Sequence, residues 1–535
     1  MEINEYIVVG SGFCGVMAAK TLLEAGVKVR MLDVGISSKI EATSTENSFI
    51  NIRKNDPNQS DFLIGKEFEA LANLLQKNPI HLTPNRSFIT EKVTQLLQWK
   101  SGEFVPTESL AKGGLGNGWG LGSFVYSDNE LKETGLDVVE MKKAYQWVSK
   151  HIGICGANDN SYTTATGNLF ELQKPIRLDF NGETLYKNAL KQQEKLEENG
   201  FVVGRTPLAI STENDLNGKI HQEDDLDFYS VGASSAYRPQ VTLNELYQNP
   251  NFQYQNHQLV MDFKEINNQI IQVNTLDISS NEKKVFYTQK LLLSAGTLAT
   301  ARIIMRSLAL EKLPIICNPY TYIPSLQIKH LGAKNTNYQT GLAQLSLYYD
   351  AQKTQTNIAM GSLYSYRSLM GFRLLHQFPM DTKNGMKLLK LIQPALNITG
   401  VFHPEYGSEN KFIERIFDSN SPTNDSMKSR YILSEKEEKT IRQTEKAFKK
   451  TLQTLGTIPL KLQQNHHGSS IHYGGTMPYH QQNSKASLAK NGLLTGFKNV
   501  FVTDGSGFQF LSGKGLTLTL MAHSHLIAKN ALRND

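Results

Sequence analysis

The chain has 535 residues, of which 39% are hydrophobic and 20% charged, and its formal net charge is +6. This length exceeds what one hydrophobic core usually supports, so two domains are expected. The composition is that of a globular protein, and the modest positive charge is interspersed with acids, which argues against a nucleic-acid-binding patch.

The first predicted elements form a βαβ unit around a glycine-rich turn. An apolar strand runs into Gly10-x-Gly12-x-x-Gly15, an apolar helix follows, and residues 27–33 alternate as a second strand. The first glycine permits a tight turn, the second lets the backbone approach a pyrophosphate, and the third lets the helix pack against the strand. The second strand ends in Asp33, at the distance expected of an acid that binds a ribose hydroxyl. The unit predicts a dinucleotide site rather than a purely structural turn.

A second glycine-rich segment lies over 111–122 and contains six glycines together with Asn117 and Trp119. This composition favours a backbone held close to a flat ligand over a flexible loop, because the aromatic and amide side chains need defined surroundings. The helices predicted between the two ends of the chain cover 66–76, 141–151 and 185–198, and the strands of a small antiparallel meander cover 251–257, 259–263 and 270–274.

Residues 290–296 repeat the strand-to-turn pattern of the N-terminus, and a helix is predicted over 298–308. The following residues, 309–461, carry no cofactor signal but contain alternating segments such as 341–349, as expected of a sheet that covers a substrate. The mixed lysines and acids over 434–450 predict a solvated helix face.

The cysteines are Cys14, Cys155 and Cys317, which form no CxxC pair and no metal-ligand cluster. Cys14 is interpreted as a small packing residue within the first glycine loop. The first strand begins so early that no signal peptide is expected, and no run of about 18 apolar residues predicts a membrane span. A cytoplasmic protein is therefore expected. The apolar, basic segments 368–375 and 386–392 are interpreted as buried helix or loop rather than membrane contacts.

Taken in order, these segments resemble the glucose–methanol–choline (GMC) oxidoreductases, a family of FAD-dependent enzymes that oxidise alcohols. The resemblance is carried by residues 8–15 with Asp33, by 113–117, by 293–296 with the following helix, and by His472-x-x-Gly475-Thr476 through Ala522. The second segment is more similar to bacterial members associated with sugar and polysaccharide gene clusters than to the fungal oxidases.

The resemblance implies an α/β fold, with an FAD/NAD(P)-binding Rossmann-like domain and an inserted α+β substrate domain built on an antiparallel sheet. The FAD-binding domain would comprise residues 1–130, 231–308 and 462–535, and the substrate domain residues 131–230 and 309–461. The positions that the resemblance assigns to the cofactor are Gly10, Gly12, Cys14, Gly15, Asp33, Gly113, Gly114, Asn117, Val260, Ala295, Gly296, Asp504, Gly505, Gly515, Leu516 and Thr517.

His472 matches the catalytic histidine of the family, and His467 and His466 are secondary candidates. Moving hydride from an alcohol carbon to flavin N5 requires that the hydroxyl proton leave as well, and a side chain that titrates near neutrality suits this task. The family places a second polar residue, His or Asn, where this chain has Gly515. The second polar group would then come from Lys514 or from another loop, or the site would lack one. A helix N-terminus at 515–517 would stabilise negative charge on the reduced flavin.

The sequence hypothesis is FAD-dependent oxidation of a CH–OH group of a sugar, polyol or other alcohol, with His472 as general base and a dehydrogenase favoured over an oxidase. The expected partners are a small-molecule alcohol or sugar and an electron acceptor whose identity the sequence leaves open, with neither nucleic acid nor integral membrane association. The alternatives are a flavin-dependent lyase or isomerase, which the glycine at 515 motivates, a catalytically altered flavin-binding protein, and a nicotinamide-dependent enzyme that leaves the C-terminal segments unexplained.

Overall fold

The computed structural model describes residues 2–38, 61, 65–66, 82, 84–100, 102–222, 235–266, 269–334, 341–365, 379–480 and 486–533. The helix expected over 66–76, apart from its first residue, and the apolar segment 368–375 lie outside the described residues. The domain boundaries given above stay predictions.

The described residues form helices and strands in both consecutive runs and alternation. The α-helices are α1 (Phe13–Glu24), α2 (Val93–Leu96), α3 (Asp128–Thr134), α4 (Val138–His151), α5 (Tyr162–Thr166), α6 (Phe180–Lys191), α7 (Gln193–Glu198), α8 (Pro239–Leu246), α9 (Thr297–Ser307), α10 (Thr382–Ile392), α11 (Glu435–Thr454) and α12 (Thr517–Arg533). The strands are β1 (Ile3–Val9), β2 (Val29–Leu32), β3 (Phe201–Arg205), β4 (Phe252–Gln255), β5 (Gln258–Ile266), β6 (Ile270–Asp277), β7 (Lys283–Leu293), β8 (Lys312–Pro314), β9 (Ile316–Cys317), β10 (Tyr320–Leu326), β11 (Leu345–Tyr349), β12 (Ala359–Ser365), β13 (Leu396–Phe402), β14 (Glu405–Tyr406), β15 (Lys411–Phe417), β16 (Asp425–Tyr431), β17 (Ile458–Pro459), β18 (Gln463–Gln464), β19 (Tyr473–Gly474), β20 (Val500–Val502) and β21 (Phe510–Leu511).

The first sheet has the order β4-β2-β1-β7-β6-β5, and β20 also pairs with β7. Strands β1, β2, β4, β7 and β20 run parallel, whereas β5, β6 and the first part of β7 form an antiparallel meander. Val8 and Leu292, which face each other in the register, are fully buried. Parallel strands carry such continuous apolar runs because helices cover both faces of the sheet.

The predicted meander differs from the structure in one strand. The segment over 251–257 forms β4, which pairs with β2 in parallel and is not part of the meander. Its place is taken by the N-terminal half of β7, which extends the buried strand predicted at 290–293 backwards to Lys283. The alternating pattern of the segment does not by itself distinguish the two pairings, because its partner β2 lies more than two hundred residues earlier in the chain.

The two ends of the chain meet at this sheet. Strand β20 lies beside β7, and α12 packs across α1. The hydroxyl of Ser524 in α12 donates a 2.6 Å hydrogen bond to the carbonyl of Cys14 in α1. The glycine-rich N-terminus and the C-terminal helix therefore belong to one body.

The second sheet is antiparallel throughout, with the order β17-β10-β13-β12-β11-β3 and with β18 beside β10. One of its faces is covered by α6 and α11, whose Leu185, Phe448 and Leu452 are fully buried against it. The opposite face carries aromatic rings that remain half-buried, among them Tyr320 and Phe402, which are paired across β10 and β13.

The solvated helix face predicted over 434–450 is confirmed, whereas the interpretation of 386–392 needs correction. Helix α11 follows a capping box formed by Ser434 and Glu437, and it buries Ile441 and Phe448, so it presents both a core face and a solvated face. The segment 386–392 is helical but mostly exposed, because α10 buries Leu389 and leaves Met386 38% and Leu391 48% exposed. Within the described ranges, no helix is both long enough and apolar enough to cross a membrane.

The packing of α1 against β1 gives a test of the fold. A Cβ atom at Gly15 would lie 1.8 Å from the backbone oxygen of Gly10, so Gly15→Ala is expected to destabilise the protein by about 3 kcal/mol or more. Gly12→Ala is the matched control, since its Cβ would have no neighbour within 4 Å. Denaturant unfolding of both variants without bound cofactor measures the difference, and equal stabilities would show that α1 does not approach β1 as described.

Candidate cofactor and active site

The first glycine loop forms an open cradle at the end of β1. Gly10 has a φ of +93°, and α1 follows with Gly12 at its N-cap and no side chain bonded to its first turn. The first N–H groups of a helix lack partners within the helix and lie at its positive end, which suits a bound phosphate. A Cβ atom at Gly10 would lie 3.0 Å from the carbonyl of Ser294, so the loop after β7 borders the same cradle.

Asp33 lies beside this loop at the end of β2. Its Oδ2 accepts hydrogen bonds from the hydroxyls of Ser11 and Tyr254, the latter at 2.8 Å. Burial raises the pKa of Asp33 to about 6, although both hydrogen bonds oppose the rise. The carboxylate is thus ionised at neutral pH and is held in place by the glycine loop and by β4.

The second glycine segment is hydrogen-bonded to the first. The N–H of Gly113 donates to the Ser11 hydroxyl at 2.8 Å, and a Cβ atom at Gly114 would lie 3.7 Å from Gly12. The side-chain amide of Asn117 donates to the carbonyls of Lys112 and Gly114 and so closes the segment on itself. This geometry gives Asn117 a role in shaping the loop.

Two arginines that no motif indicated meet at this second loop. The carbonyl of Asn117 accepts hydrogen bonds from Arg86, at 2.6 Å, and from Arg238. Arg86 lies in a short helical turn and Arg238 immediately before α8, in stretches of sequence without a recognisable pattern. They bring positive charge to the loop that borders the cradle.

The C-terminal segment is tied to the loop after β7. Ser294 and Thr503 share a 2.7 Å hydrogen bond between their hydroxyls, and Thr300 of α9 donates to Asp504. Asp504 also caps the short helical turn Gly505–Gly507 by accepting from the N–H of Ser506. Burial raises the pKa of its carboxyl group. Ala295 and Gly296 therefore lie between the first glycine loop and the Asp504 segment.

His472 lies directly before β19, which pairs with β9. Its Nδ1 is 3.1 Å from Oδ1 of Asn318, and its ring stacks on Phe402 with a centroid distance of 4.5 Å and an interplanar angle of 17°. Loss of hydration on burial lowers the pKa of His472 to about 4. The imidazole is consequently neutral at neutral pH and can accept a proton.

His472 and the other two histidine candidates have different surroundings. The ring of His467 packs against Tyr431 in a tilted arrangement with a centroid distance of 4.9 Å, and the carbonyl of His467 accepts from the N–H of Val105. Burial also lowers the pKa of His467, with a further contribution from the nearby Lys411 ammonium. His466 is exposed. Of the three rings, His472 is the one that Asn318 and Phe402 hold.

The space beside Gly515 is occupied by an aromatic ring. A Cβ atom there would lie 3.1 Å from the ring of Phe124, and α12 begins two residues later at Thr517. Lys514 is not available as a polar partner, because its buried ammonium lies 3.1 Å from the carboxylate of Glu130 and donates to the carbonyl of Val125.

Three further sites predicted from the sequence are buried. Val260 is buried in β5 beside a bulge that follows it. Cys14 is buried in the first turn of α1, close to the carbonyl of Leu520 in α12. Leu516 is buried, directly before α12. Over the parts of the chain that the structure describes, no group of three His, Cys, Asp or Glu side chains could hold a metal ion.

Comparison with known proteins supports this architecture. No protein-family model matches the sequence, and a search of curated proteins found no match. Among solved structures, the chain is similar to pyridoxine 4-oxidase from Mesorbium loti, with a TM-score of 0.60 and 11% sequence identity over 99% of both chains. At this identity the similarity establishes the fold. The predicted α/β class, with a Rossmann-like FAD/NAD(P)-binding domain and a substrate domain built on an antiparallel sheet, is confirmed.

Asp33 provides a test of the dinucleotide site. Asp33→Ala is expected to weaken binding of the predicted FAD by about 1–3 kcal/mol, because the charge-assisted hydrogen bond predicted between Asp33 and the cofactor would be lost. Tyr254→Phe, which removes only one hydrogen bond to the carboxylate, is expected to have a smaller effect. Titration of the apoprotein with FAD, followed by fluorescence quenching, measures both affinities. An unchanged affinity of the Asp33→Ala variant would place the adenosine elsewhere.

Proposed function

We propose that this chain is an FAD-dependent oxidoreductase that oxidises the CH–OH group of a small-molecule alcohol, with His472 as the general base. The observation that carries the proposal is the position of the His472 segment. The carbonyl of Tyr473 accepts from the hydroxyl of Thr297 at 3.0 Å, and the N–H of Gly475 donates to the carbonyl of Gly505 at 3.1 Å. The histidine is therefore attached to both segments that border the cradle.

The residues around the cradle fit FAD. Cβ atoms at Gly12 and Gly296 would meet nothing within 4 Å, which leaves open space at the ends of β1 and β7. Gly12 and the start of α1 would hold the pyrophosphate, Asp33 the adenosine ribose, and Asp504 and Gly505 the ribityl chain. When bound, FAD supplies the acceptor for the hydride that leaves the alcohol carbon.

The proposed proton transfer depends on the neutral imidazole of His472. His472 would take the hydroxyl proton of the alcohol, which lets the oxygen form a carbonyl as the hydride departs. The N-terminus of α12 would favour negative charge that develops nearby. Gly515 contributes no side chain, so His472 would act without a second polar residue at that position.

The substrate would lie between His472 and the half-buried face of the second sheet. Tyr320 stacks on Phe402 at 4.2 Å, and Tyr322 packs against the edge of Tyr320. These rings form an aromatic cluster that reaches the proposed base through Phe402 and carries the phenolic hydroxyl groups of Tyr320 and Tyr322. The fold neighbour, by its name, oxidises pyridoxine. We therefore include hydroxymethyl groups on aromatic rings, beside sugars and polyols, in the proposed class of alcohols.

The cofactor is tested by purification. The protein is expected to carry FAD that acid precipitation releases, and Gly12→Ala is expected to fold but to bind FAD at least about tenfold more weakly, because its Cβ enters the cradle. Absorption spectra of the wild-type protein and the variant measure the flavin content. A folded, colourless protein that takes up NAD but no flavin would reject the proposal.

The general base is tested by anaerobic stopped-flow reduction with a panel of aromatic alcohols, sugars and polyols. His472→Ala is expected to retain FAD and to slow flavin reduction by about 10²–10⁴-fold. His467→Ala is the control and is expected to have a smaller effect, because its ring contacts Tyr431 instead of Asn318. If His472→Ala reduces the flavin at the wild-type rate while His467→Ala reduces it more slowly, the general base is not His472. A flavin that no alcohol bleaches would favour a lyase or isomerase.

The pH dependence of the same reaction gives an independent check. Burial lowers the pKa of His472 from 6.5 to about 4, so the ring is protonated, and unable to accept a proton, only in acid. If proton transfer limits reduction, the rate is expected to rise with pH around pH 4 and to level off by about pH 6. A rate that still rises through pH 7–8 would point to a base with a higher pKa.

A further inference from the structure

Asn318 lies opposite His472 because of a short β-ladder. Strands β9 and β19 pair antiparallel with Cys317 facing Tyr473, so the next residues outwards are Asn318 and His472. The hydroxyl of Tyr431 holds β9 in place, since it accepts from the N–H of Cys317 at 3.0 Å and donates to its carbonyl at 2.8 Å. The spacing between the two side chains is therefore set by main-chain hydrogen bonds and a buried tyrosine.

The orientation of the Asn318 amide follows from its surroundings. One end of the amide lies 2.7 Å from the carbonyl of His403, 3.0 Å from that of Ser512 and 3.4 Å from that of Leu511. Carbonyl oxygens only accept, so this end must be the NH₂ group, and the oxygen must be the end that faces His472. Asn318 is 2% exposed, and a flip would leave several buried carbonyls without their donor.

The amide oxygen of Asn318, which lies 3.1 Å from Nδ1 of His472, determines which ring nitrogen carries the proton. Two acceptors cannot share a hydrogen bond, so Nδ1 must be protonated, and the lone pair of the neutral ring is then on Nε2. Phe402 fixes the plane of the same ring by stacking. Both contacts come from the same end of two neighbouring strands of the second sheet, because Asn318 precedes β10 and Phe402 ends β13.

We infer that Asn318 is a positioning residue that holds His472 as the Nδ1–H tautomer and so makes Nε2 the proton acceptor in alcohol oxidation. The inference rests on the proposed function. In the step, the O–H bond of the alcohol breaks and its proton forms a bond with Nε2, while the C–H electron pair leaves as hydride to the proposed FAD. The product is a carbonyl compound, and the imidazolium keeps its Nδ1–H bond to Asn318.

The tautomer can be measured without turnover. The holoprotein labelled with ¹⁵N-histidine is expected to show a His472 signal, assigned by its loss in His472→Ala, with protonated Nδ1 and unprotonated Nε2 at pH 7. Asn318→Leu is expected to shift this signal towards the Nε2–H form. A wild-type ring protonated on Nε2 would overturn the inference, and this result does not depend on whether the variant folds.

Reduction kinetics supply the second readout. Asn318→Leu is expected to slow anaerobic flavin reduction by about 10–100-fold, the loss typical of an outer partner of a functional histidine, with FAD content and KM close to wild type. Asn318→Asp keeps an acceptor at Nδ1 but adds a charge that stabilises the imidazolium, so the acid midpoint of the rate is expected to move up by about one pH unit or more. Wild-type rates and pH profiles in both variants would overturn the inference.

Asn181 offers a matched control. Its side-chain oxygen contacts Nδ1 of His330 and its amide donates to the carbonyl of Pro394 at 2.8 Å, so the pair repeats the Asn318–His472 arrangement near the other end of β10. Asn181→Leu is expected to leave flavin reduction unchanged. If the His472 tautomer depends on Asn318 but no alcohol reduces the flavin, the positioning role stands and the proposed oxidation fails.

Discussion

The parallel pairing of β7 with β1 on one side and β20 on the other holds the candidate site together. Val9 lies opposite Leu293, and Leu293 lies opposite Val502. Three segments that are distant in the sequence therefore end side by side, at the C-terminal ends of parallel strands in the first sheet. The loops that follow these strands carry Gly10, Ala295 and Asp504, and they meet because their strands are in register. The cradle is thus a consequence of sheet pairing, and the glycines allow the loops to approach.

The charges around the cradle follow from burial. Desolvation raises the pKa values of Asp33 and Asp504 and lowers that of His472. Hydrogen bonds from Ser11, Tyr254, Ser506 and Thr300 favour the ionised carboxylates, whereas Asn318 offers the imidazole only a neutral acceptor. The carboxylates therefore have partners that favour their charged form, whereas burial keeps the imidazole uncharged at neutral pH.

Local sequence patterns predicted the parts of the fold that depend on neighbouring residues. The glycine spacing at Gly10–Gly15, the acid at Asp33 and the strand that ends at Leu293 could be identified because turn, helix and strand signals lie within a few residues of one another. The pairing of β4 with β2 could not, since alternation alone does not name a partner strand. The resemblance led to His472, while its relation to Asn318 depends on a two-residue ladder between distant segments, which leaves no periodic signal. The same holds for Arg86 and Arg238, which converge on a backbone carbonyl that no side-chain pattern marks.

The shared strand β7 also has a consequence for synthesis of the chain on the ribosome. Strand β1 is synthesised before β7 and cannot pair with it until β7 has emerged. The sheet remains incomplete until β20 and α12 have also been synthesised. Contacts of such long sequence separation form slowly, and the apolar edge of β7 is unprotected in the nascent protein until β20 arrives. The last few dozen residues therefore complete the core and the site in the same event, so a chain truncated there would lose both and would present an open strand edge to aggregation or to chaperones.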